Sequence, residues 1–529
     1  MSSHQPVPAA FADLVNLADD LTGTFVLYAT DDYFAEKENL LKPHAAEWRA
    51  EAYTDKGKWM DGWESMRKRE PGHDFCIIRL GTPGSIHGVL CDTTHFKGNA
   101  PQEISLEICD VAHTLTPAEL LALPVVDSLQ KQHALRGRAW LEVLPQTAVL
   151  PDFGNVLPLL QASSRASHVR MHIYPDGGVA RLRVYGQVLP EPRLFWRPGS
   201  LDLAAIEHGG TIAAVSDQFF GPPSNLLLPG RGVNMGDGWE TKRRRTPGSD
   251  WCAIKLARRG IVERIELDTH FFKGNAPQAA RVEWLDATGL SEHELQARLV
   301  AVDGWQTLVE KTPLVQHRKH TLEPARPQPL THIRVHMFPH GGINRLRVFG
   351  HALDTHAEKH ALHVLNFMPD TEFHQWMMSF CGSSAFAEAM ASQRTFADVR
   401  GIFAAAENTF WALRTDDFLQ AFSAHPRIGA TSAAQGQTAQ SVTWSKNEQA
   451  QMADAAVDVT AELGKLNDEY FEKFGFIFIC FASGRTPQQM LDLLQARIHN
   501  SRALEIDNAA QEQARILRLR LENWLNAQH

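Results

Sequence analysis

The sequence predicts two tandem all-β jelly-roll domains followed by an all-α helical domain. Three observations carry this expectation. A long block of residues is stated twice at a fixed spacing, short apolar runs between Pro/Gly turns fill the first two thirds, and after Gly350 apolar residues recur at helical spacing. The spans read from these features are 1–190, 191–355 and 362–529. Three domains suit a chain of 529 residues at about 150 residues each.

The duplication comes first. Asp61-Gly62-Trp63-Glu64, Arg67, Arg69, Pro71-Gly72, Asp74, Asp92-Thr93 and Phe96 through Gln102 reappear 176 positions later, from Asp237-Gly238-Trp239-Glu240 to Phe272 through Gln278. His172 through Gly178 with Arg181 through Gly186 reappear as His336 through Gly342 with Arg345 through Gly350. There the displacement is 164, so the first copy carries about a dozen extra residues between its blocks. A period of this length is too long for a solenoid unit and fits a duplicated domain.

Within each copy, Phe75 through Leu80, Ile104 through Ile108 and Ala253 through Leu256 read as strands. Arg181-Leu182-Arg183-Val184 and Arg345-Leu346-Arg347-Val348 alternate with period two, sending the arginines to one face and the apolar residues to the other. Repeated short strands with turns every eight to twelve residues favour a sandwich or jelly roll. The polar stretch His351–His360 reads as a connector. From Leu365 onward the spacing is helical, as in Phe373/Trp376/Met377/Phe380 and Val457/Leu463/Leu466. The stretch Glu505–Trp524 holds no Pro or Gly and predicts a long closing helix.

Composition narrows the function. Apolar residues make up 44% of the chain, and no run approaches the ~20 needed to span a bilayer. The net charge is −9, with cations interleaved among acids, which argues against nucleic acid as a partner. The six cysteines show no CxxC spacing and sit mostly in apolar runs; Cys76 and Cys252 are repeat equivalents, so buried free thiols in a reducing compartment are expected. Met1–Ala10 lacks a signal pattern and Asn526-Ala527-Gln528-His529 is no peroxisomal address, so a cytoplasmic location is expected. A homo-oligomer acting on small molecules is the expected assembly.

The repeated polar residues are the candidate site. Asp92, Lys97 and Asn99, and equally Asp268, Lys273 and Asn275, bring a carboxylate, an ammonium and an amide into eight residues. Lysine and arginine, including Arg181, Arg183, Arg345 and Arg347, suit a substrate carboxylate, while amides and carboxylates suit urea-like groups. Trp63, Trp239 and the Gly-Asn pairs have a plainer reading as core and turn residues. The copies differ at one place: His270 aligns with Thr94, and His95 with Phe271. The second copy is therefore favoured as the more complete site. His168/Arg170/His172 and His332/Arg334/His336 alternate along strands and leave a metal open in this half, but no cofactor is expected.

These blocks, with the weaker opening pair of Asp31, Tyr33-Phe34 and Asn39-Leu40-Leu41 against Asp217, Phe219-Phe220 and Asn225-Leu226-Leu227, resemble the allantoicase family across roughly 15–352. The resemblance implies two galactose-binding-like jelly rolls and hydrolysis of allantoate to ureidoglycolate and urea. That reaction needs a cation for the carboxylate, an acid for the departing urea and a base for water. Asp268 or Glu240 is the expected base, His270 the acid, and Lys273 with Arg345 the carboxylate clamp.

In the helical part the strongest signal is Ala421-Phe422-Ser423-Ala424-His425-Pro426, followed by Ser445-Lys446-Asn447-Glu448-Gln449. The proline ends a helix just after His425, and Ser-x-x-Glu starts the next as a capping box. Together with Leu365-Asn366, Arg394, Phe396, Trp411, Phe474 through Cys480, Arg497, Asn500, Glu505 and Arg520, these residues resemble 2-oxo-4-hydroxy-4-carboxy-5-ureidoimidazoline (OHCU) decarboxylase. That resemblance implies His425 as general acid–base beside Pro426, and Glu448 positioning it or the substrate hydroxyl. Ser445, Gln449 and Arg520 would hold the ring and carboxylate, with Phe478, Ile479 and Cys480 giving backbone contacts. The combined expectation is a bifunctional enzyme of ureide and purine catabolism. The rival is a carbohydrate-binding double jelly roll fused to a helical interaction domain, which would need exposed aromatics on a pocket rim; here the aromatics sit inside apolar runs.

Overall fold

A computed structural model describes residues 7–135, 137–425, 457–483 and 485–528. The chain divides into two compact units, Met1–Glu191 with Gly199–Leu353, and Pro192–Pro198 with Asp354–His529. Both repeats lie in the first unit, and each has its own sheet system, nine-stranded and antiparallel but for the pairing of Val125–Val126 in the first, eight-stranded and antiparallel in the second, among the described residues.

The organising element of each repeat is one very long strand, Asp74–Asp92 or Asp250–Asp268, of 19 residues against the usual ~5–6. The first half of each pairs with Arg165–Tyr174 or Pro329–Phe338. The second half pairs with Arg181–Val188 or Arg345–Ala352. A register shift near the middle lets the strand bend from one pairing to the other, so a single strand serves both layers and delivers its terminal aspartate to one end of the fold.

Alternation decides what is buried. Cys76, Ile78, Val169, Met171, Leu182 and Val184 enter the first core, and Cys252, Ile254, Val335, Met337, Leu346 and Val348 the second. The interleaved arginines and histidines are left on the opposite face. There Glu107 accepts from Arg170 at 2.5 Å and lies 2.9 Å from His172 Nε2. Glu283 does the same with Arg334 and His336, at 2.8 Å each. Burial pushes Glu283 up, but His336 and Arg334 outweigh it and hold the carboxyl down at about 2. These histidines share a face as the spacing requires, each engaged by the carboxylate at Nε2 and at Nδ1 by His73 in the first copy or Ser249 in the second. Among the described residues no group of three or more His, Cys, Asp or Glu is arranged to hold a metal ion. All six cysteines are free and buried.

His168 and His332 lie deeper on the same strands, each with a buried Nε2 lacking a hydrogen-bond partner. Burial pushes them down from 6.5 to about 3 and about 4. Such a group stabilises the fold fully above its unfolded value and withdraws that stability as pH falls toward the folded one. The first unit should therefore lose thermal stability between about pH 6.5 and 4, and changing both histidines to Gln should flatten that part of a melting-temperature profile.

The second unit is helical. Among the described residues its helices are His356–Phe367, Asp370–Cys381, Ser384–Ser392, Val399–Trp411, Thr415–Ser423, Val457–Phe474, Pro487–Arg497 and Arg502–Asn526. One expectation is corrected here. The stretch after His351 is not all connector, because helix starts at His356, where Thr355 and Glu358 form a capping box. The polar composition that suggested a loop is the solvent side of that first helix. The unit also takes in Pro192–Pro198, a segment that sequence order places between the repeats. Trp196 is buried there, donating its indole N–H to Glu358 Oε1 at 2.7 Å and stacking on Phe403. No helix among the described residues is long and apolar enough to cross a membrane.

Candidate functional site

The site of each repeat is built on a glycine–aromatic interlock. Phe96 and Phe272 are fully buried. A Cβ on Gly178 or Gly342 would lie 1.9 or 2.0 Å from those rings, and one on Gly62 or Gly238 would also strike them. Only glycine lets the Asp-Gly-Trp-Glu strand and the Gly-Gly loop close over the aromatic. The preceding residues, His95 and Phe271, sit in the left-handed region at φ 73° and 68°. Their N–H groups are held by Asp152 Oδ1 and His317 Nδ1 at 2.7 and 3.0 Å. Trp63 and Trp239 are core residues, donating to Asp31 O and Asp217 O at 2.8 Å.

In both copies this scaffold ties together the strands and loops that carry the predicted polar residues, and it pairs the Asn with the Glu of Asp-Gly-Trp-Glu. In the second, Asn344 N–H donates to Asp268 O, Gly342 N–H donates to Asn275 O, and Gly342 pairs with Glu240. Asn275 Nδ2 donates to Glu240 Oε1 at 2.6 Å. In the first copy Asn99 Nδ2 donates to Glu64 Oε1 at 2.7 Å, and burial pushes that carboxyl above its usual range.

Beyond that shared pair the copies diverge. In the second, Asp268 Oδ1 accepts the His270 N–H at 2.9 Å, with His270 Nδ1 at 3.7 Å. Arg231 Nε lies 3.9 Å from the other carboxylate oxygen. The His317 ring centroid is 4.0 Å from that of His270, and Lys273 and Arg231 are close enough to add to the lowering of His317 that burial begins. Arg345 stands opposite Asp268 across the sheet. It is buried, its Nε has no hydrogen-bond partner, and its Nη1 donates to the Asp237 and Asn344 carbonyls. Burial pushes this guanidinium down to about 10.

In the first copy the same arginine is spent internally. Arg181 is fully buried and donates from Nη2 to Asp61 Oδ2 at 2.6 Å. Lys42 donates to Asp61 Oδ1 at 2.9 Å and Glu47 N–H to Oδ2 at 2.9 Å. Burial pushes Asp61 up, but these donors outweigh it and hold the carboxyl at about 2. The equivalent Asp237 turns its carboxylate onto Val233 N and Asn234 N instead. Asp92 accepts from Thr94 N at 2.9 Å and Thr94 Oγ1 at 2.5 Å. Lys97 lies 3.7 Å from Asp152 on the surface. Arg183 and Arg347 serve as braces, donating to the carbonyls of Lys42 and of Leu226, Leu228 and Gly230. Beside Glu64 and Asn99 opens a cleft of about 340 Å³, walled by Phe34, Trp48 and Met60. Phe34 and Trp48 are 36% and 53% exposed, so the expectation that no aromatic lines a rim is corrected. Their short apolar surroundings in the sequence hid the turn that exposes them.

In the helical unit His425 follows the helix Thr415–Ser423, its N–H donating to Phe422 O at 3.2 Å. The ring is buried, and its Nε2 has no partner among the described residues. Burial, then the Arg520 charge, push it down to about 3, while Gln513 opposes the shift. Gln513 and Arg520 lie seven residues apart on Arg502–Asn526, hence on one face. Gln513 Nε2 donates to Cys381 O and Arg520 Nη1 to Ser379 O, both at 3.1 Å. The run Phe476–Cys480 is buried but forms no strand. Arg497 Nη1 holds Ile479 O at 3.0 Å and Glu512 accepts the Phe481 N–H at 2.7 Å. Glu505 ties Arg497, Asn500 and Tyr470 together beneath it. Pro426, Ser445, Glu448 and Gln449 lie outside the described residues.

A model of the allantoicase repeat matches residues 15–189 and 201–353. The chain belongs to the allantoicase family. The allantoicase of Dictyostelium discoideum is 42% identical over 352 residues, covering 64% of this chain and 88% of that protein. The crystal structure of allantoicase from Saccharomyces cerevisiae is 32% identical over 64% of this chain and 94% of that one, with a TM-score of 0.52. An OHCU decarboxylase model matches residues 366–522. An OHCU decarboxylase crystallised in the presence of (S)-allantoin is 34% identical over 29% of this chain and 98% of that one, at a TM-score of 0.25. The chain thus joins a hydrolase and a decarboxylase of purine catabolism, and the family match, not the aromatics, sets aside the carbohydrate-binding rival. Sequence reasoning missed Arg231, His317 and Gln513. His317 was legible as the displaced partner of Asp152, and Gln513 as a polar residue on the Arg520 face of an otherwise apolar helix stripe.

Proposed function

We propose that the second repeat hydrolyses allantoate with Asp268 as base, His270 as acid and Arg345 as the carboxylate clamp. The observation that supports this reading is the buried Arg345 opposite Asp268, whose Nε has no hydrogen-bond partner and which no carboxylate bonds among the described residues, a cation left open for an anionic ligand. Asp268 takes a proton from water as its oxygen bonds to the carbon bearing both ureido groups. The C–N bond breaks, and His270 gives a proton to the departing urea nitrogen. The 3.7 Å between His270 Nδ1 and Asp268 lets the abstracted proton return to the imidazole after turnover. Glu240 and Asn275 each keep an oxygen for ureido N–H groups. Lys273, on the surface, draws the anion in.

In the decarboxylase half, His425 is neutral when the site is empty. A substrate carboxylate paired with Arg520 cancels the cation that helps keep it so, raising its affinity for a proton. Loss of CO₂ leaves an electron pair that the imidazolone ring absorbs, and His425 supplies the proton that forms one enantiomer of allantoin. Neither half calls on a cofactor in this scheme. The six unpaired thiols favour a reducing cytoplasm, and the net charge of −9 argues against nucleic acid. Exposed Phe219, Phe220, Val233 and Met235 offer apolar surface that a homo-oligomer would bury. Changing His270 to Ala should lower kcat for urea release from allantoate by roughly 10²-fold with OHCU decarboxylation unchanged. Unchanged urea release would remove His270 from the mechanism.

A further inference from the structure

We propose that the cleft of the first repeat is a second, non-hydrolytic site for a ureido acid. The proposal rests on the assignment of chemistry to the second repeat. The recognition pair is retained, since Glu64–Asn99 at 2.7 Å repeats Glu240–Asn275 at 2.6 Å. The reacting groups are not. Thr94 stands where His270 does and hydrogen-bonds Asp92 through both its N–H and its hydroxyl. Arg181 is occupied by Asp61. A pair that recognises ureido groups therefore persists without the acid, and without the buried clamp.

The first repeat has also gained a wall. Asn39 to Asp61 spans ten residues more than Asn225 to Asp237, and the addition includes the hairpin of Tyr53–Thr54 with Gly57–Lys58. Lys58 reaches over the Trp48 ring at 4.9 Å and donates to the Arg49 carbonyl at 2.9 Å, fixing the wall in place. The cleft of about 340 Å³ holds a small diureido molecule. Trp48 offers a flat face to a planar ureido group, Glu64 and Asn99 keep oxygens for its N–H groups, and Lys97 stands at the lining for a carboxylate. The ligand class is the ureido acids, to which both substrate and product of the second repeat belong. Binding here meters the ureide pool without consuming it.

The test is calorimetric titration of allantoate into the full chain carrying Asp268→Asn, which blocks turnover. Two equivalents should bind. Adding Glu64→Gln or the surface change Trp48→Ala should remove one, while Arg345→Met removes the other. Neither Glu64→Gln nor Trp48→Ala, alone in the otherwise unaltered chain, should abolish urea release. A single equivalent that disappears with Arg345→Met and ignores Trp48→Ala overturns the proposal and leaves the second-repeat mechanism standing. Loss of urea release on Glu64→Gln, with Asp268→Asn still active, would instead put the chemistry in the first repeat and overturn both.

Discussion

Replacing His425 by Gln should lower OHCU decarboxylation by roughly 10³–10⁴-fold while leaving urea release from allantoate unchanged. Gln preserves a buried polar group of similar reach, so the helical unit keeps its packing and the loss reports on proton transfer. The size of the effect follows from the environment. The imidazole is buried, faces the Arg520 cation and the Gln513 amide, and has an Nε2 with no partner among the described residues. A buried polar atom left without a partner costs about 1–3 kcal/mol and persists where a ligand supplies the missing contact. Both rates can be followed on one preparation, as CO₂ release and urea release. Parallel loss of both would show that His425 acts through folding. An unaltered decarboxylation rate would remove it from the chemistry. Residual product from His425→Gln should also be racemic, since the ring's electron pair would then take its proton from water on either face.

Much of the architecture was legible because it was stated twice. Asp-Gly-Trp-Glu, the Gly-Gly loop and Phe-Lys-Gly-Asn are the parts that touch one another, through Phe96 with Gly62 and Gly178 and through Phe272 with Gly238 and Gly342. Alternation along Arg345–Val348 placed the arginines on the face away from the core. What periodicity could not show was the partner of each arginine, because Asp61 and Asp237 are the same residue type at the same repeat position and differ only in where the carboxylate turns. The longer first-copy segment between Asn39 and Asp61 decides this: Lys42 and Glu47 lie within that segment and draw Asp61 inward. In the shorter second copy Asp237 caps its own turn instead. Domain limits were hidden for a different reason. Trp196 belongs by sequence to the joint between repeats, yet its indole is satisfied by Glu358 and Phe403, a long-range contact that no local pattern encodes. A fragment ending at residue 353 keeps that tryptophan and loses both partners, so urea release should be measured on the full chain.

The divergence of Arg181 and Arg345 yields the second large effect. Arg345→Met should leave the first unit's melting temperature nearly unchanged and lower kcat/KM for allantoate by about 10²–10³-fold, or ~3–4 kcal/mol. The methionine fills the apolar stem's volume, the lost donors serve two backbone carbonyls, and removing a desolvated cation offsets part of that loss. The substrate carboxylate, by contrast, loses its counter-charge. Arg181→Met should do the reverse. It strands the Asp61 carboxylate in the interior and removes donors to the Asn39, His44 and Asp61 carbonyls. The cost is ~3 kcal/mol or more, even with Lys42 still on Oδ1, and the melting temperature should fall by roughly 10 °C. Thermal unfolding and urea-release kinetics on the two variants therefore separate the roles. If Arg345→Met destabilises as much as Arg181→Met and the surviving folded enzyme keeps its kcat/KM, both arginines are braces and the substrate carboxylate binds elsewhere. If the pattern holds, the duplicated arginine has been divided between folding in one repeat and recognition in the other, with the Asp61 carboxylate occupying in the first the place the substrate takes in the second.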